Sequence, residues 1–483
     1  MSGKRLSDLL RRDVAADPPV TGVTADSRKV KPGFLFAALP GAKTHGRCFI
    51  GQAVAAGAAA ILAETPVEAG PVPTFPVGDV RRAYALAAAA FYGVQPAICV
   101  AVTGTNGKTS VATFCRQIFA RLGRRSASMG TLGVQAGETQ IAPPGLTTPD
   151  AADVAALAAD LAARGVTHLA LEASSHGIEQ RRLDGLALTV AGFINLTQDH
   201  LDYHGDMEAY RAAKLRLFEV LLPTGRTAVL NADSDAYGIF SKAAAASGHP
   251  VFSVGAMGEG LVLAGRTLEA GGQRLRIAAG GRHFELRLPL AGAFQASNAL
   301  VAAGLCVAAG EETEAVLEAL EHLEGAPGRL QRIGSGPRGG EAYVDYAHTP
   351  DGLKTVLLAL RPHVAGRLIL VFGAGGDRDR GKRPQMGAIA ANLADVAIVT
   401  DDNPRSEPPA AIRAEIRAGA AGLKEIGDRR EAIRTAAAML QEGDVLVVAG
   451  KGHERGQIVG AVIHPFSDAA ETAAALGLAP AHG

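Results

Sequence analysis

Ala97-Ile98-Cys99-Val100-Ala101-Val102-Thr103-Gly104-Thr105-Asn106-Gly107-Lys108-Thr109-Ser110 decides how the rest of the chain is read. The apolar run up to Val102, rich in β-branched residues, reads as a buried strand. A glycine-punctuated turn follows, and a helical pattern starts near Thr109. Strand, Gly-rich turn and Lys-Thr-Ser opening a helix is the phosphate-loop order. Glycines let main-chain N–H groups curl around a polyphosphate at the positive end of a helix dipole. Lys108 would reach the outer phosphates, and the Thr109 hydroxyl would be a Mg²⁺ ligand. The common form G-x-x-x-x-G-K-[ST] puts its first glycine where Val102 stands. Here the first glycine is Gly104, so the loop through Thr105, Asn106, Gly107 and Lys108 is tighter.

Further on, Leu169-Ala170-Leu171-Glu172 closes a strand in a carboxylate and runs into Ala173-Ser174-Ser175-His176-Gly177. A second strand, 189–194, leads into Asn195-Leu196-Thr197-Gln198-Asp199-His200-Leu201-Asp202-Tyr203-His204. Ligands of doubly wound sheets sit beyond the carboxyl ends of strands, where both polar clusters fall. A carboxylate and a histidine converging on phosphate oxygens suit a divalent-metal clamp. Taken alone, Lys214 reads as an exposed helix lysine. Asn298, at the start of an Ala-rich helix, reads as its N-cap.

The 483 residues correspond to about three domains at ~150 residues each. A formal net charge of zero argues against non-specific nucleic-acid binding or attachment to an anionic membrane. Cys48, Cys99, Cys115 and Cys306 stand far apart with no CxxC pair, which is neither a disulfide framework nor a zinc site. The residues up to Pro18 hold no apolar core of signal-peptide length. The longest apolar run, 53–63, falls short of the ~20 residues that span a bilayer. A cytoplasmic protein without membrane insertion is expected, acting as a monomer on small molecules.

The first part of the chain carries Val23-Thr24-Ala25-Asp26-Ser27-Arg28, a strand-like 34–38 and a helix at 52–59. Its Gly41-Ala42-Lys43-Thr44-His45-Gly46 is, by itself, an ordinary polar turn. The last part follows a hinge-like Glu324-Gly325-Ala326-Pro327-Gly328-Arg329 and shows βα alternation, with strands at 367–372, 395–400 and 444–449. These run into Gly373-Ala374-Gly375-Gly376-Asp377-Arg378-Asp379-Arg380, Asp401-Asp402-Asn403-Pro404-Arg405 and Gly450-Lys451-Gly452-His453-Glu454. Arginines and acids at three strand ends on one rim describe a site for a zwitterion; surface loops of mixed charge are the alternative. The expected fold is α/β in three domains. A smaller N-terminal α/β domain covers 1–94, a central phosphate-loop ATPase-like parallel-sheet domain 95–326, and a C-terminal Rossmann-like domain 327–483.

With Asp345-Tyr346-Ala347-His348-Thr349-Pro350 added, these motifs resemble the Mur ligases, the ATP-dependent amide-forming enzymes of peptidoglycan precursor synthesis. The resemblance covers nearly the whole chain, and the displaced-glycine loop is the form usual in that family. It implies ATP and Mg²⁺, with 104–110, Asn298, Arg329 and Asp345 on the nucleotide and Thr109, Glu172 and His200 around the metal. It implies that Lys214 is carried as a carbamate, which turns a cation into a metal-binding anion. Lys108, Glu172, His200 and Lys214 would then be the catalytic set. Ala25, Ser27 and Ala42, Lys43 and Thr44 would hold a uridine nucleotide. Thr147, Thr148, Ser174, Gln180 and Arg182 would hold a muramoyl-peptide arm.

The resemblance further implies diaminopimelate as the incoming amino acid, held by Arg378, Asp402, Asn403, Pro404, Arg405, Gly450 and Glu454. A guanidinium such as Arg405 grips a distal carboxylate in two-pronged geometry, and lysine has no such carboxylate. The implied reaction adds diaminopimelate to UDP-N-acetylmuramoyl-L-alanyl-D-glutamate through an acyl phosphate, with domain closure about hinges near Gly93 and Gly328. Rivals within the class are ligases adding lysine or D-Ala-D-Ala, and a folylpolyglutamate synthetase; from another class, a phosphate-loop phosphotransferase or switch protein. The Asp-Asn-Pro-Arg loop disfavours the first three, and the last two have no need of the 402–405 and 450–454 loops.

Overall fold

A computed structural model describes residues 3–41, 44–199, 201–269 and 271–478. The chain divides into two compact units, Met1–Leu261 with Val301–Val316, and Val262–Leu300 with Leu317–Gly483.

The first unit opens on a small parallel sheet ordered as in the sequence: Gly22–Thr24, Phe34–Ala37, Ala60–Ala63 and Thr74–Pro76. Alternate residues serve opposite faces, as the pleat requires. Leu35 and Ala37 pack with Tyr84, Ala88 and Phe91 of the helix Val80–Tyr92, whereas Phe36 and Ile61 pack with Ile50 and Ala53 on the other side. The helix near 52–59 is shorter and earlier than expected, Ile50–Ala55, because Gly57 adopts φ +87° and stops it.

Next comes a parallel array in the spatial order Ser126–Gly130, His168–Glu172, Ile98–Thr103, Val190–Phe193, Thr227–Asn231 and Val251–Gly255. An antiparallel hairpin, Gly133–Ala136 with Thr139–Ala142, extends its first edge. Ile98–Thr103 thus lies between strands reached by connections running in opposite directions. That is a switch point, where a crevice opens beyond the strand ends. Register fixes which residues meet there: Glu172 lies opposite Val102, and Phe193 opposite Thr103. Both core-facing sides are apolar, with Leu169, Leu171 and Phe193 in one continuous cluster.

The second unit holds a sheet ordered Gln331–Ser335, Glu341–Asp345, Val445–Ala449, Leu368–Phe372, Val396–Val399 and Lys424–Glu425. All neighbours are parallel except the first pair. Leu368, Leu370 and Phe372 face the helices Pro350–Leu360, Lys382–Leu393 and Pro409–Arg417, while Ile369 and Val371 face Arg429–Met439. The carboxyl ends Asp345, Ala449, Phe372 and Val399 therefore share one rim, as the sequence pattern requires. A meander over Gly272–Ala279 and Arg282–Leu288 also belongs here. Its Leu275, Ile277, Leu286 and Leu288 are buried between exposed arginines, a two-residue period that marks it as β.

Two local readings are corrected. Lys214 is not an exposed helix lysine; it is 1% exposed. Asn298 is not an N-cap, because the helix begins earlier and runs Ala293–Ala308.

Candidate active site

The loop after Ile98–Thr103 enters the helix Lys108–Arg121 through Gly107 at φ +90°, a left-handed conformation that side chains resist. Asn195 sets the shape of the loop. Its Oδ1 accepts from the main-chain N–H groups of Thr105 and Asn106 at 3.1 and 3.0 Å, and its Nδ2 donates to the Asn106 carbonyl at 3.3 Å. The Thr105 hydroxyl donates to Thr197 O at 3.1 Å and accepts from Thr197 N–H and from the Tyr210 hydroxyl. Thr105 thus ties the loop to the 195–210 segment.

Lys108 Nζ arches back onto the carbonyls of Gly104 and Thr105, both at 2.8 Å. Lys214 Nζ, buried, donates to the same Gly104 oxygen at 2.8 Å and lies 4.4 Å from the Tyr210 ring centre. Burial, then the charge of Lys108, pushes the Lys214 amine well below the ordinary lysine range. Two amino groups and one carbonyl therefore meet at the root of the loop.

Glu172 is almost fully buried, yet both its oxygens are engaged. Oε2 accepts from Thr109 Oγ1 at 3.0 Å, and Oε1 from Thr131 N–H at 2.8 Å. Gly130 makes room: a Cβ there would lie 2.1 Å from Glu172 Oε1. A hydroxyl and a carboxylate side by side at a phosphate loop are hard oxygen donors of the kind Mg²⁺ takes. Among the described residues, no three or more His, Cys, Asp or Glu side chains gather into a metal cluster. His200 lies outside the described residues.

The residues expected to hold the muramoyl-peptide arm form one continuous network. Thr147 Oγ1 meets Thr131 Oγ1 at 3.0 Å, and Thr148 Oγ1 donates to the Glu172 carbonyl at 2.9 Å and meets Ser174 Oγ at 3.0 Å. Arg182 donates to Thr148 O and to Gln180 Oε1, each at 2.7 Å, and Gln180 Nε2 donates to Tyr203 Oη at 2.9 Å. In the N-terminal part, Ala25 and Ser27 line a cavity of ≈ 820 Å³ that also takes in Phe49, Tyr84, Tyr92 and Asp153. Ser27 Oγ donates to Gln52 Oε1 at 3.0 Å there. Thr44 is exposed and does not line that cavity, and Ala42 and Lys43 lie outside the described residues.

On the rim of the second unit, Asn403 is the organising side chain. Its Nδ2 donates to Glu454 Oε2 at 2.8 Å, while its Oδ1 accepts from Lys451 Nζ at 2.8 Å and from Ile458 N–H at 2.9 Å. Lys451 is fully buried and also reaches Glu454 at 3.1 Å. Among the described residues Asp402 Oδ2 is buried with no hydrogen-bond partner, and a Cβ on Gly450 would lie 2.5 Å from it. A buried carboxylate oxygen left in this state waits for a cationic or N–H-bearing group. Arg405 takes φ +51° and donates through Nη1 to Gly376 O at 2.8 Å. A Cβ on Gly375 would lie 2.8 Å from Nη1 of Arg405 and 3.8 Å from Cγ of Arg378, so a glycine there leaves room for both side chains.

Asp345 accepts from the N–H groups of Leu330 and Ala347 at 2.6 and 2.7 Å. Burial raises its carboxyl, with Arg329 and these two bonds opposing. The Arg329 guanidinium lies over the Tyr346 ring at 4.8 Å, and its main-chain carbonyl accepts from Gln295, which also accepts from Asn298 Nδ2 at 3.2 Å. Asn298, Arg329 and Asp345 are thus linked through one side chain and one turn.

Three successive stretches match Mur ligase descriptions: residues 19–92 the "Mur ligase family, catalytic domain", 102–306 the "Mur ligase middle domain" and 328–452 the "Mur ligase, glutamate ligase domain". The chain belongs to the Mur ligase family. Among Mur ligases it is 69% identical to a Caulobacter vibrioides protein named UDP-N-acetylmuramoyl-L-alanyl-D-glutamate–2,6-diaminopimelate ligase, over 98% of this chain and 99% of that one. A Brucella melitensis protein of the same name is 53% identical over 96% and 95%. A solved structure bearing that name superposes with a TM-score of 0.75 at 36% identity, covering 98% of this chain and 99% of that one.

Thr131, Asn195, Tyr210 and Lys451 were not among the expected site residues, yet each contacts one: Glu172, Thr105 and Asn106, Thr105, and Asn403 in turn. Asn195, Tyr210 and Lys451 stand inside or beside motifs already singled out, so adjacency was a usable signal for them. Thr131 comes from the end of a neighbouring strand, with no local pattern to mark it.

Proposed function

We propose that this Mur ligase joins 2,6-diaminopimelate to UDP-N-acetylmuramoyl-L-alanyl-D-glutamate in peptidoglycan precursor synthesis, converting ATP to ADP and phosphate. The observation that carries the reading is the Asp402-Asn403-Pro404-Arg405 loop, set against Glu454 and Lys451 on a shared rim, in a chain nearly identical in extent to relatives of that name. We put the domains at 1–94, 95–326 and 327–483, a reading supported by the gaps between the three matched stretches. The enzyme works as a monomer in the cytoplasm. Among the described residues no helix is long and apolar enough to cross a membrane.

In the first step the γ-carboxylate of the D-glutamyl residue attacks the terminal phosphorus of ATP, giving an acyl phosphate and ADP. Two anions must approach, so the loop N–H groups and Lys108 supply positive potential at the phosphates. Lys108 then leaves the Gly104 and Thr105 carbonyls for the nucleotide. Thr109 and Glu172, with His200 and a carbamate on Lys214, would hold Mg²⁺, which supplies charge neutralisation at the phosphate oxygens. Burial favours the neutral form of the Lys214 amine, which is the form that adds to CO₂: an N–C bond forms and a proton leaves. Ala25 and Ser27 seat the uridine nucleotide, and Thr147, Thr148, Ser174, Gln180 and Arg182 present the peptide arm.

In the second step the neutral amine of diaminopimelate attacks the acyl carbon, the bond from that carbon to the phosphate oxygen breaks, the nitrogen's proton passes to the departing phosphate, and the amide forms. Arg405 and Arg378 take the distal carboxylate, while Asp402 and Glu454 take ammonium hydrogens, completing the orphaned Asp402 oxygen. A site with polar groups awaiting a carboxylate discriminates against an analogue lacking it. The test is phosphate release in the presence of ATP and Mg²⁺. It should require both the UDP-linked dipeptide and the diamino acid; release with neither, or transfer to water alone, contradicts the proposal.

A further inference from the structure

The hairpin Gly456–Val459 and Val462–Pro465 has little packing reason to exist. Its second strand is exposed throughout, with Val462 at 56% and Ile463 at 68%. Two-stranded hairpins of this kind are marginal in water on their own. What this one does is hold the 402–405 loop. Gln457 Nε2 donates to Asp402 O at 2.8 Å, and Ile458 N–H to Asn403 Oδ1 at 2.9 Å. Arg405 N–H donates to Ile458 O at 3.0 Å, and Gly460 N–H to Arg405 O at 2.7 Å. Both main-chain groups of Arg405 are therefore engaged by a single short segment.

Arg405 needs that support. Its φ of +51° is a left-handed conformation that a side chain bearing Cβ adopts at a cost, and such strain persists only where surroundings over-determine it. The facing loop contributes from the other side: Arg405 Nη1 donates to Gly376 O, and Gly376 N–H donates to Asn403 O at 2.9 Å. Gly460 stands first in the two-residue hairpin turn with φ +58°, which aims its N–H at Arg405.

We propose that the 457–460 segment is a specificity clasp, with Gln457 and Gly460 as positioning residues that hold Arg405 in the strained conformation that presents its guanidinium to the distal carboxylate of the incoming diamino acid. This rests on the reading that the 402–405 loop receives diaminopimelate. Without the clasp the backbone at Arg405 relaxes and the guanidinium swings off its aim, while the phosphate loop is untouched.

Wild-type turnover on diaminopimelate, measured first, tests the function reading by itself. Gln457→Ala and Gly460→Pro then test the clasp, the former leaving the hairpin turn intact. Hydrogen exchange at the Arg405 amide gives a readout independent of turnover, and it should speed up by about tenfold in both variants. The KM for diaminopimelate should rise about tenfold, the preference over lysine should shrink, and the KM for ATP should stay within about twofold. Unchanged Arg405 exchange and unchanged diaminopimelate preference in folded Gln457→Ala would overturn the proposal. So would equal rises in KM for ATP and diaminopimelate, which mark a general loss of structure.

Discussion

The Lys214 amine lies 2.8 Å from the Gly104 carbonyl oxygen, at the root of the phosphate loop. That oxygen also receives Lys108, so a second full positive charge beside it would be repelled. Burial, then the charge of Lys108, pushes the amine well below the ordinary lysine range and so favours its neutral, nucleophilic form. Lys214→Ala should lower kcat about 10²-fold, and formate or acetate should restore part of it by replacing a carbamate's oxygens. Steady-state assays with added small carboxylates check this. No rescue, together with unaltered wild-type activity in bicarbonate-depleted buffer, would point to a purely structural lysine.

In the proposed mechanism Lys108 leaves the two carbonyls it touches and supplies charge to the phosphates. Lys108→Ala should therefore reduce ADP formation about 10³-fold while diaminopimelate binding by calorimetry stays intact.

Thr131 holds both oxygens of Glu172, its N–H on Oε1 and its hydroxyl on Oε2, the oxygen that Thr109 also reaches. Its side chain bridges Glu172 and Thr147, at 3.3 and 3.0 Å. Thr131→Val keeps the shape and the main-chain bond but removes that bridge. The Mg²⁺ concentration for half-maximal activity should rise about tenfold, with the KM for ATP changing less. Metal titration of the two proteins measures it.

His453 packs against Tyr346 with its ring centre 5.2 Å away. Burial, then the Arg329 charge, lowers its pKa from 6.5 to about 4. The unfolded chain binds this proton at higher pH than the folded chain does. Folding stability therefore falls as pH drops from 6.5 through 4, and this contribution is flat above 6.5. His453→Gln should make the acid side of a melting-temperature profile shallower over that window. A profile identical to wild type would contradict the buried neutral ring.

The phosphate loop was legible because its chemistry is local: glycines, Lys108 and Thr109 are contiguous, and the strand before them is apolar throughout. The rim loops were legible for a similar reason, since each follows directly on a β-rich run. What could not be read was anything fixed by contacts between distant residues. Thr131 meets Glu172 across neighbouring strands, and Asn195 shapes a loop 89 positions earlier. Lys214 looked exposed because helix periodicity does not reveal what packs on a helix, here the phosphate-loop carbonyl of Gly104. Asn298 looked like a cap because 290–293 lacks a stronger one, yet the helix begins before it and leaves Asn298 buried. The 456–465 hairpin went unread because its exposed strand carries no apolar alternation.

The central claim is tested most directly by a panel of amino acids offered to the wild-type enzyme with ATP, Mg²⁺ and the UDP-linked dipeptide, reading product mass. The account predicts one dominant product, heavier by a diaminopimelate residue, with lysine trailing by a factor of about 10² or more, and that gap closing in Arg405→Ala. Lysine incorporated as readily as diaminopimelate, or no new amide with any amine, would contradict it.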